Sequence, residues 1–459
     1  MATDVTMRFI ENDDALCAHG NREARKELLA IADAAIEGVQ PERLISTRLT
    51  RDGSRLCIGD IEYDLDDVED VIVIGVGKGS AAVVAAVLGV LDGRVDDGLV
   101  VEKHGQGTPI DGATLPVLEA GHPIPDTASR TAADRVGELA DRAGPEDLVC
   151  WCITGGASAL LAAPAGELTL AELATTTERL LDAGVPIQAL NTVRKHLSTI
   201  KGGRLATRCA PATTVSLIVV DEVAGDPWGP TVPDETTYAD ALGVLKRYEL
   251  TETVPTAVVE HLNDGRTGRY TETPDDAEFG TLPARSVVLA DGTTVCGAAQ
   301  EAAEDHGYTA MVLSTTIEGE AGTVGTVHGG IAREIATHSR PIEPPCVVVS
   351  GGETTVTVDG DGAGGPNQEF ALGLARSIDG LESVTGLGID TDGTDGPTPV
   401  AGGLVDGQTV ERAADHGIDL LAALGENDAM GALAELGDAI RTVPTGTNLM
   451  DLRLVLVEA

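Results

Sequence analysis

Several short segments of this chain carry residue types suited to holding phosphate, carboxylate or a divalent cation. The first is Gly75-Val76-Gly77-Lys78-Gly79-Ser80. Glycines let backbone N–H groups approach an anion, and a helix that follows such a loop offers its positive N-terminus. Lys78 adds a mobile cation suited to a transferring or terminal phosphate. Ser80 stands where a dinucleotide fingerprint has its third glycine, although Glu102, after the next strand, could bind a ribose. GxxxxGK[ST] occurs nowhere, so this is not a Walker A loop. The plain alternative is a tight strand-to-helix turn with a solvent-facing lysine. Thr154-Gly155-Gly156-Ala157-Ser158 repeats the theme, as an anion nest or as simple turn geometry.

A third segment is basic. Arg194, Lys195, Lys201 and Arg204 fall within eleven residues of a chain that is acidic almost everywhere else. On a helix, Arg194, Lys201 and Arg204 would share roughly one face. A guanidinium there could clamp a carboxylate or phosphate through two hydrogen bonds, or could serve only in local salt bridges. A fourth group is acidic: Asp221 and Glu222 after the strand SLIVV, Asp226 beyond it, and GIDTDGTDG with Asp390 and Asp392. The last resembles a calcium loop but lacks a glutamate at its twelfth position and follows a strand. Carboxylates at strand ends suit Mg²⁺ shared with phosphate oxygens instead. Two further glycine-rich loops hold Glu353, and Asn367 with Glu369 at the opening of the helix FALGLARS. The histidines form no triad or zinc motif, and His122, in the Pro-rich turn GHPIPD, reads as structural. Neither GxSxG nor HExxH is present, so hydrolase readings lack support.

The elements that must position these loops repeat one pattern, a β-branched run, a glycine-rich turn and an alanine-rich helix. It occurs in VIVIGVGKGSAAVVAAV and LVCWCITGGASALLAAP, and with variations in TVSLIVVDEVAGDPWGP, SVVLADGTTVCGAAQEAA and CVVVSGGETTVTV. Continuous apolar strands alternating with helices imply parallel sheets buried on both faces. Residues 21–38 read as a helix and 55–63 as a hairpin-like stretch. The expected fold is α/β with two domains of largely parallel sheet. Residues 1–248 form a Rossmann-like N-terminal domain, 249–283 a linker or surface excursion, and 284–459 a second α/β domain, with the active site in the interdomain cleft.

The composition narrows the partners. Across 459 residues, 31 basic against 74 acidic residues give a net charge of −43. Such a surface excludes nucleic-acid backbones, which need a basic face. The acids are dispersed, as on strongly hydrated proteins of salt-saturated cytoplasm, which implies a haloarchaeal-type source. The seven cysteines include no CxxC, so a zinc site or disulfide framework is not expected. No apolar run is long enough to span a bilayer, and the N-terminus lacks the basic and apolar regions of a secretion signal, so a cytoplasmic protein is expected.

Taken in order from about residue 70, the stretches VIGVGKGSAA, GHPIPDTAS, ITGGASALLAAP, LNTVRKHLSTIKGGRLA, VSGGETTVTV, GGPNQEFALGLA, GIDTDGTDGPTPVAGGLVD and PTGTNLMDLRLVLV resemble the glycerate 2-kinase family of the MOFRL type. The resemblance implies transfer of the γ-phosphate of ATP to the 2-hydroxyl of D-glycerate with Mg²⁺. Lys78, Arg194 and Asp221 would be catalytic. Gly77, Gly155, Gly156, Ser158, Lys195, Glu353, Asn367 and Glu369 would bind substrate or phosphate, and Asp390 and Asp392 would hold the metal. The acceptor is D-glycerate or a related small hydroxy acid, with no nucleic acid or membrane partner and a homodimer left open. Where the family commonly has GGRNQE, Pro366 precedes Asn367, so Arg194 is expected to serve in place of the missing arginine. Trp228 stands where small residues are usual. The alternative enzyme is an NAD(P)-dependent hydroxypyruvate reductase, resting on GVGKGS and Glu102; a non-catalytic nucleotide sensor is the third reading.

Overall fold

Runs such as VIVIGV and LVCWCI have no polar face to offer water, so they are stable only as strands covered on both sides. In the computed structural model, which describes residues 8–110, 112, 114–221 and 228–459, they lie side by side. The chain forms two compact units. One contains Ile45–Val220 and continues to Leu289; the other joins residues up to Leu44 with Ala290–Ala459.

The first unit opens with a small antiparallel sheet of β1 (Leu49–Asp52), β2 (Arg55–Ile58) and β3 (Ile61–Asp64). Six strands follow: β4 (Val71–Val76), β5 (Asp97–Lys103), β6 (Val117–Ala120), β7 (Leu148–Ile153), β8 (Thr213–Val219) and β9 (Ala284–Ala290). They lie in the order β6-β5-β4-β7-β8-β9, with parallel pairing from β6 through to β8. This is a doubly wound order whose direction reverses between β4 and β7, and ligands of such sheets bind beyond the carboxyl ends at that reversal. Both glycine-rich loops, after β4 and after β7, stand there. Ile72, Ile74, Trp151, Ile153 and Ile218 fill the core beneath, with Trp228 packed against it.

Residues 249–283, read as a linker from their polar composition, contribute to this unit. The helix Thr256–Arg266 buries Val258, His261 and Leu262; Val258 and Leu262, with Val254, join Leu180, Val193 and Leu245 in a helical layer. Its few apolar residues recur at four-residue spacing, so one face is apolar although the segment as a whole is polar.

The second unit holds β10 (Thr309–Ile317), β11 (Cys346–Gly352), β12 (Val384–Asp390), β13 (Gly402–Asp406), β14 (Ala439–Ile440) and β15 (Asp451–Val457), in the order β10-β11-β15-β12-β13-β14. Only β10 and β11 are parallel; every other pairing is antiparallel. The α/β class holds, but the parallel arrangement belongs to the first sheet. A continuous apolar strand reports burial on both faces and says nothing of direction. The helix Pro366–Ser377 lies buried in this unit through Phe370, Ala371, Leu372, Leu374 and Ala375. Pro366 occupies its first turn, where proline is well accommodated.

The early helix Arg22–Gly38 also belongs to this second unit rather than to an N-terminal domain. Its buried face includes Leu28, Leu29, Ile31 and Ile36. Arg25, fully buried, donates from Nε to Asp406 and from Nη1 to Asp438 at 2.7 Å. Asp438 also accepts from Arg412 at 2.6 Å. Among the described residues no helix is long and apolar enough to cross a membrane.

Candidate functional site

The loops after β4 and β7 are laced together. The Lys78 N–H donates to the Gly155 carbonyl at 2.8 Å, the Thr154 N–H to the Val76 carbonyl at 3.0 Å, and the Thr154 hydroxyl to the Lys78 carbonyl at 2.9 Å. Glycine is required where they touch. Gly77 has φ +131° and Gly156 φ +83°, and a Cβ on Gly77 would fall 2.1 Å from Thr154 Oγ1. The N–H groups of Gly155 and Gly156 meet no acceptor among the described residues.

Glu102, at the end of β5, turns inward. Its carboxylate accepts the N–H of Ala81 at 2.7 Å, the N–H of Gly79 at 3.0 Å and the Ser80 hydroxyl at 3.3 Å. Burial outweighs these bonds and pushes its pKa up to about 6. Two consequences follow. The acid that a ribose would need is spent on the start of the helix Ser80–Leu91. That helix N-terminus, expected to hold phosphate, already carries a carboxylate, so the cations around it must supply most of any attraction for anions.

Three cations are available. Lys78 follows β4, Lys103 ends β5, and Arg194 lies in the last turn of the helix Ile187–His196. None has a carboxylate partner among the described residues. Burial without a compensating anion lowers the Arg194 guanidinium to about 10, so it stays charged at neutral pH. All three face His122, which follows β6. Burial first, then Lys78, Lys103 and Arg194, depress its imidazole to about 4, leaving it neutral at pH 7. Its ring lies against the Gly156 turn: a Cβ on Gly156 would sit 2.9 Å from His122 Nε2 and 3.5 Å from Lys78 Cγ.

The rest of the basic segment divides its roles. The helix ends at His196 and the next begins at Arg204, so Arg194, Lys201 and Arg204 share no helical face; left-handed Gly202 and Gly203 break the run. Lys195 forms an ion pair with Asp234, which makes it a local tether rather than a free clamp. Lys201 is buried and donates to the carbonyls of Ser158 and, at 2.8 Å, Leu161. It thereby holds the short helix Ala157–Leu160 that carries Ser158, and burial lowers its pKa to about 7. Arg204 donates to the carbonyls of Lys195 and Thr271.

In the second unit, antiparallel register gathers acids at one end of the sheet. Asp451, the first residue of β15, pairs with Gly352 on one side and Asp390 on the other. Burial, then Asp392, Asp451 and Asp395, raise Asp390 well above the usual carboxylate range. Asp392 accepts the N–H and hydroxyl of Thr394 at 2.8 Å. Asn367, fully buried, donates to both Asp395 and Asp451. Asp395 also caps the helix Pro366–Ser377 through the N–H groups of Asn367 and Gln368. Glu369 accepts from Asn427 at 2.9 Å, and Asn427 in turn holds the N–H groups of Asp359 and Gly360. Asn367 and Glu369 therefore brace the loops and do not form an open wall. Glu353 is exposed just beyond β11, and Asp221 stands just beyond β8; Glu222 and Asp226 lie outside the described residues.

Among the described residues no group of three or more His, Cys, Asp or Glu is arranged to hold a metal. Asp390 and Asp392 remain a fit for Mg²⁺, which takes one or two carboxylates and completes its octahedron with water and phosphate oxygens. The observation in favour is their placement on one turn at the end of β12, where the Asp392 N–H donates to Asp390 Oδ1 at 3.0 Å.

In the sequence alone, Lys103 and Asp451 draw no assignment, His122 reads as structural, and Asp395 lies in the acidic segment GIDTDGTDG without a role of its own. The available signal was position: each of Lys103, His122 and Asp451 stands at or just beyond one end of a strand.

Residues 27–263 match a domain of unknown function, DUF4147, and residues 346–451 match the MOFRL family. A glycerate 2-kinase from Pyrococcus horikoshii is 39% identical, with 94% of this chain and 96% of that one covered. A protein from Agrobacterium vitis with the provisional name hydroxypyruvate reductase is 35% identical over 98% of each chain. Among solved structures, a glycerate kinase from Thermotoga maritima superposes with a TM-score of 0.82 at 34% identity, covering 95% of this chain and 100% of its own.

Proposed function

Because the chain belongs to the glycerate 2-kinase family of the MOFRL type, we infer that it transfers the γ-phosphate of ATP to the 2-hydroxyl of D-glycerate, giving 2-phosphoglycerate. The observation that carries this reading is the placement of Lys78, Lys103 and Arg194, none with a carboxylate partner among the described residues, about His122 and the Gly155-Gly156 turn at the carboxyl end of a parallel sheet.

Phosphoryl transfer asks for positioning and charge neutralisation more than for covalent chemistry. Lys78, on the glycine-rich turn, neutralises the transferring phosphoryl group. The N–H groups of Gly155 and Gly156, which meet no acceptor among the described residues and lie on a turn that also carries Ser158, donate to its oxygens. Arg194 takes the glycerate carboxylate through its two-pronged guanidinium. Asp221 orients the acceptor. Asp390 and Asp392 would hold Mg²⁺, which when bound neutralises phosphate charge. The seven free thiols fit a reducing cytoplasm, and the dispersed acidity fits a salt-rich one.

Incubation with D-glycerate and ATP in multimolar KCl should release ADP and 2-phosphoglycerate in equal amounts, with the phosphorylated carbon read by phosphorus NMR. Incubation with hydroxypyruvate and NADH should leave the NADH unoxidised, in keeping with the inward-turned Glu102. NADH consumption without ADP release would reverse the assignment.

The different surroundings of the two neighbouring basic residues separate their expected roles. Arg194→Ala should raise KM for D-glycerate by about tenfold to a hundredfold, the effect of losing one charge-assisted contact. Lys195→Ala should leave that KM within about threefold and instead lower Tm, because it leaves the buried Asp234 unpaired. Steady-state kinetics alongside thermal melts would distinguish the two.

A further inference from the structure

We propose that His122 is a catalytic residue of this transfer, accepting the proton of the acceptor hydroxyl as that oxygen attacks the transferring phosphorus. The proposal rests on the glycerate kinase reading and adds to it the proton acceptor.

The loops after β4, β5, β6 and β7 supply Lys78, Lys103, His122 and the Gly155-Gly156 turn, and the helix Ile187–His196 adds Arg194. The charged groups facing His122 are Lys78, Lys103 and Arg194. All of them can donate protons and neutralise charge, and none can take a proton at neutral pH. Glu102, the carboxylate of the adjoining loop, is buried and engaged by two N–H groups and a hydroxyl. The His122 ring has no hydrogen-bond partner among the described residues, so it retains a lone pair to accept with. Among the described residues of this cradle it is the side chain placed to do so.

The ring is also held in position. The Gly121 N–H donates to Asp126 Oδ1 and to Ser129 Oγ, each at 3.2 Å. Asp126 and Ser129 are themselves joined in the capping box of the helix Thr127–Arg142. His122 thus emerges from a turn fastened to a helix start. Its ring rests on Gly156, where the missing side chain leaves room for it. That places Nε2 beside the amides assigned to the phosphoryl oxygens.

Burial and the three cations keep the imidazole unprotonated in the free protein. A bound carboxylate and triphosphate offset those cations, so the ring becomes a stronger base when both substrates are present. In the step itself the hydroxyl O–H bond breaks and its proton passes to His122. The oxygen forms a bond to phosphorus, and the bond from phosphorus to the bridging oxygen breaks, its electron pair leaving with ADP. The imidazolium then returns its proton to solvent.

The test compares the full-length protein with His122→Asn and His122→Ala, using D-glycerate, ATP and MgCl₂ in multimolar KCl. The expected result is a fall in kcat of about 100- to 1000-fold, the usual worth of a positioned base. KM values for both substrates should stay within about threefold and Tm within a few degrees. The acidic limb of the kcat–pH profile should disappear in His122→Asn, and added imidazole should restore part of the rate to His122→Ala. If either folded variant keeps kcat within threefold of the parent, the proposal is overturned. It is equally overturned if kcat falls while the acidic limb persists in His122→Asn, which reads out the proton step even where His122→Ala fails to fold. Absence of 2-phosphoglycerate from the unsubstituted protein would instead refute the kinase reading on which this rests.

Discussion

Lys78→Met is expected to lower kcat by about 10²- to 10³-fold, or roughly 3–4 kcal/mol of transition-state stabilisation, the scale found when one preorganised electrostatic group is removed from a transferring centre. Methionine keeps the length and most of the volume of the lysine stem while deleting the charge. Because the ammonium has no carboxylate partner among the described residues, its loss breaks no ion pair. The backbone of the loop is fixed independently by Gly155 and Thr154. Tm should therefore stay within a few degrees. The effect should fall on kcat more than on KM for D-glycerate if Lys78 meets charge that develops during transfer. A folded variant with near-normal kcat would remove Lys78 from the chemistry. Lys78→Arg is not expected to restore the rate, because a planar guanidinium cannot replace a compact ammonium between the two glycine turns.

The second large effect is on stability. Arg25→Met should lower the free energy of unfolding of the unit that contains Ala290–Ala459 by about 3–5 kcal/mol, since it leaves buried Asp406 without its cation and Asp438 with Arg412 in place of two guanidinium partners. In the intact protein Asp406 lies below the usual carboxylate range: burial opposes this, but Arg25 and backbone N–H groups outweigh it. A depressed folded-state pKa contributes stability that is present above the unfolded value, about 4, and is lost as pH falls through the folded one. In Arg25→Met the carboxylate prefers its proton, so acidification should narrow the gap between variant and parent. Denaturant midpoints at pH 7 and pH 4 measure both points. A midpoint unchanged at pH 7 would mean that Arg412 and solvent satisfy Asp438 and Asp406 unaided.

What the residues announced in advance was the first sheet and its two loops. VIVIGV and LVCWCI are apolar throughout and stop at glycines, and both the strand and its turn follow from those facts. Other features turned on distinctions that composition does not draw. A continuous apolar run is the same in a parallel and an antiparallel strand, so the direction of β12, β13 and β15 was not legible. The helix Thr256–Arg266 was hidden because its polar face outnumbers its buried one. Arg194 and Lys195 are adjacent and alike in type, and only the presence of Asp234 beside one of them separates their roles. With 74 acidic residues, chemical type could not single out Asp395 or Asp451 from acids on the surface. Their burial marks them, and burial depends on the partner strands. Glu102 was misjudged for the same reason, because its position after a strand suits a ribose ligand and an inward helix cap equally well.

The central place of β15 also bears on the order in which the molecule can be made. The ribosome delivers Asp451–Val457 last among the strands, yet they fill the gap between β11 and β12. The helix Arg22–Gly38, which emerges long before them, belongs to that same unit. Until β15 arrives, two strands have exposed edges in the middle of a sheet, and the early helix has no surface to cover. The unit between Ile45 and Leu289 can fold as it emerges, because all its strands are already present. The flanking unit must wait until β15 has emerged. Its closing contacts span almost the whole chain, the kind of topology that folds slowly and relies on protection from aggregation during the delay.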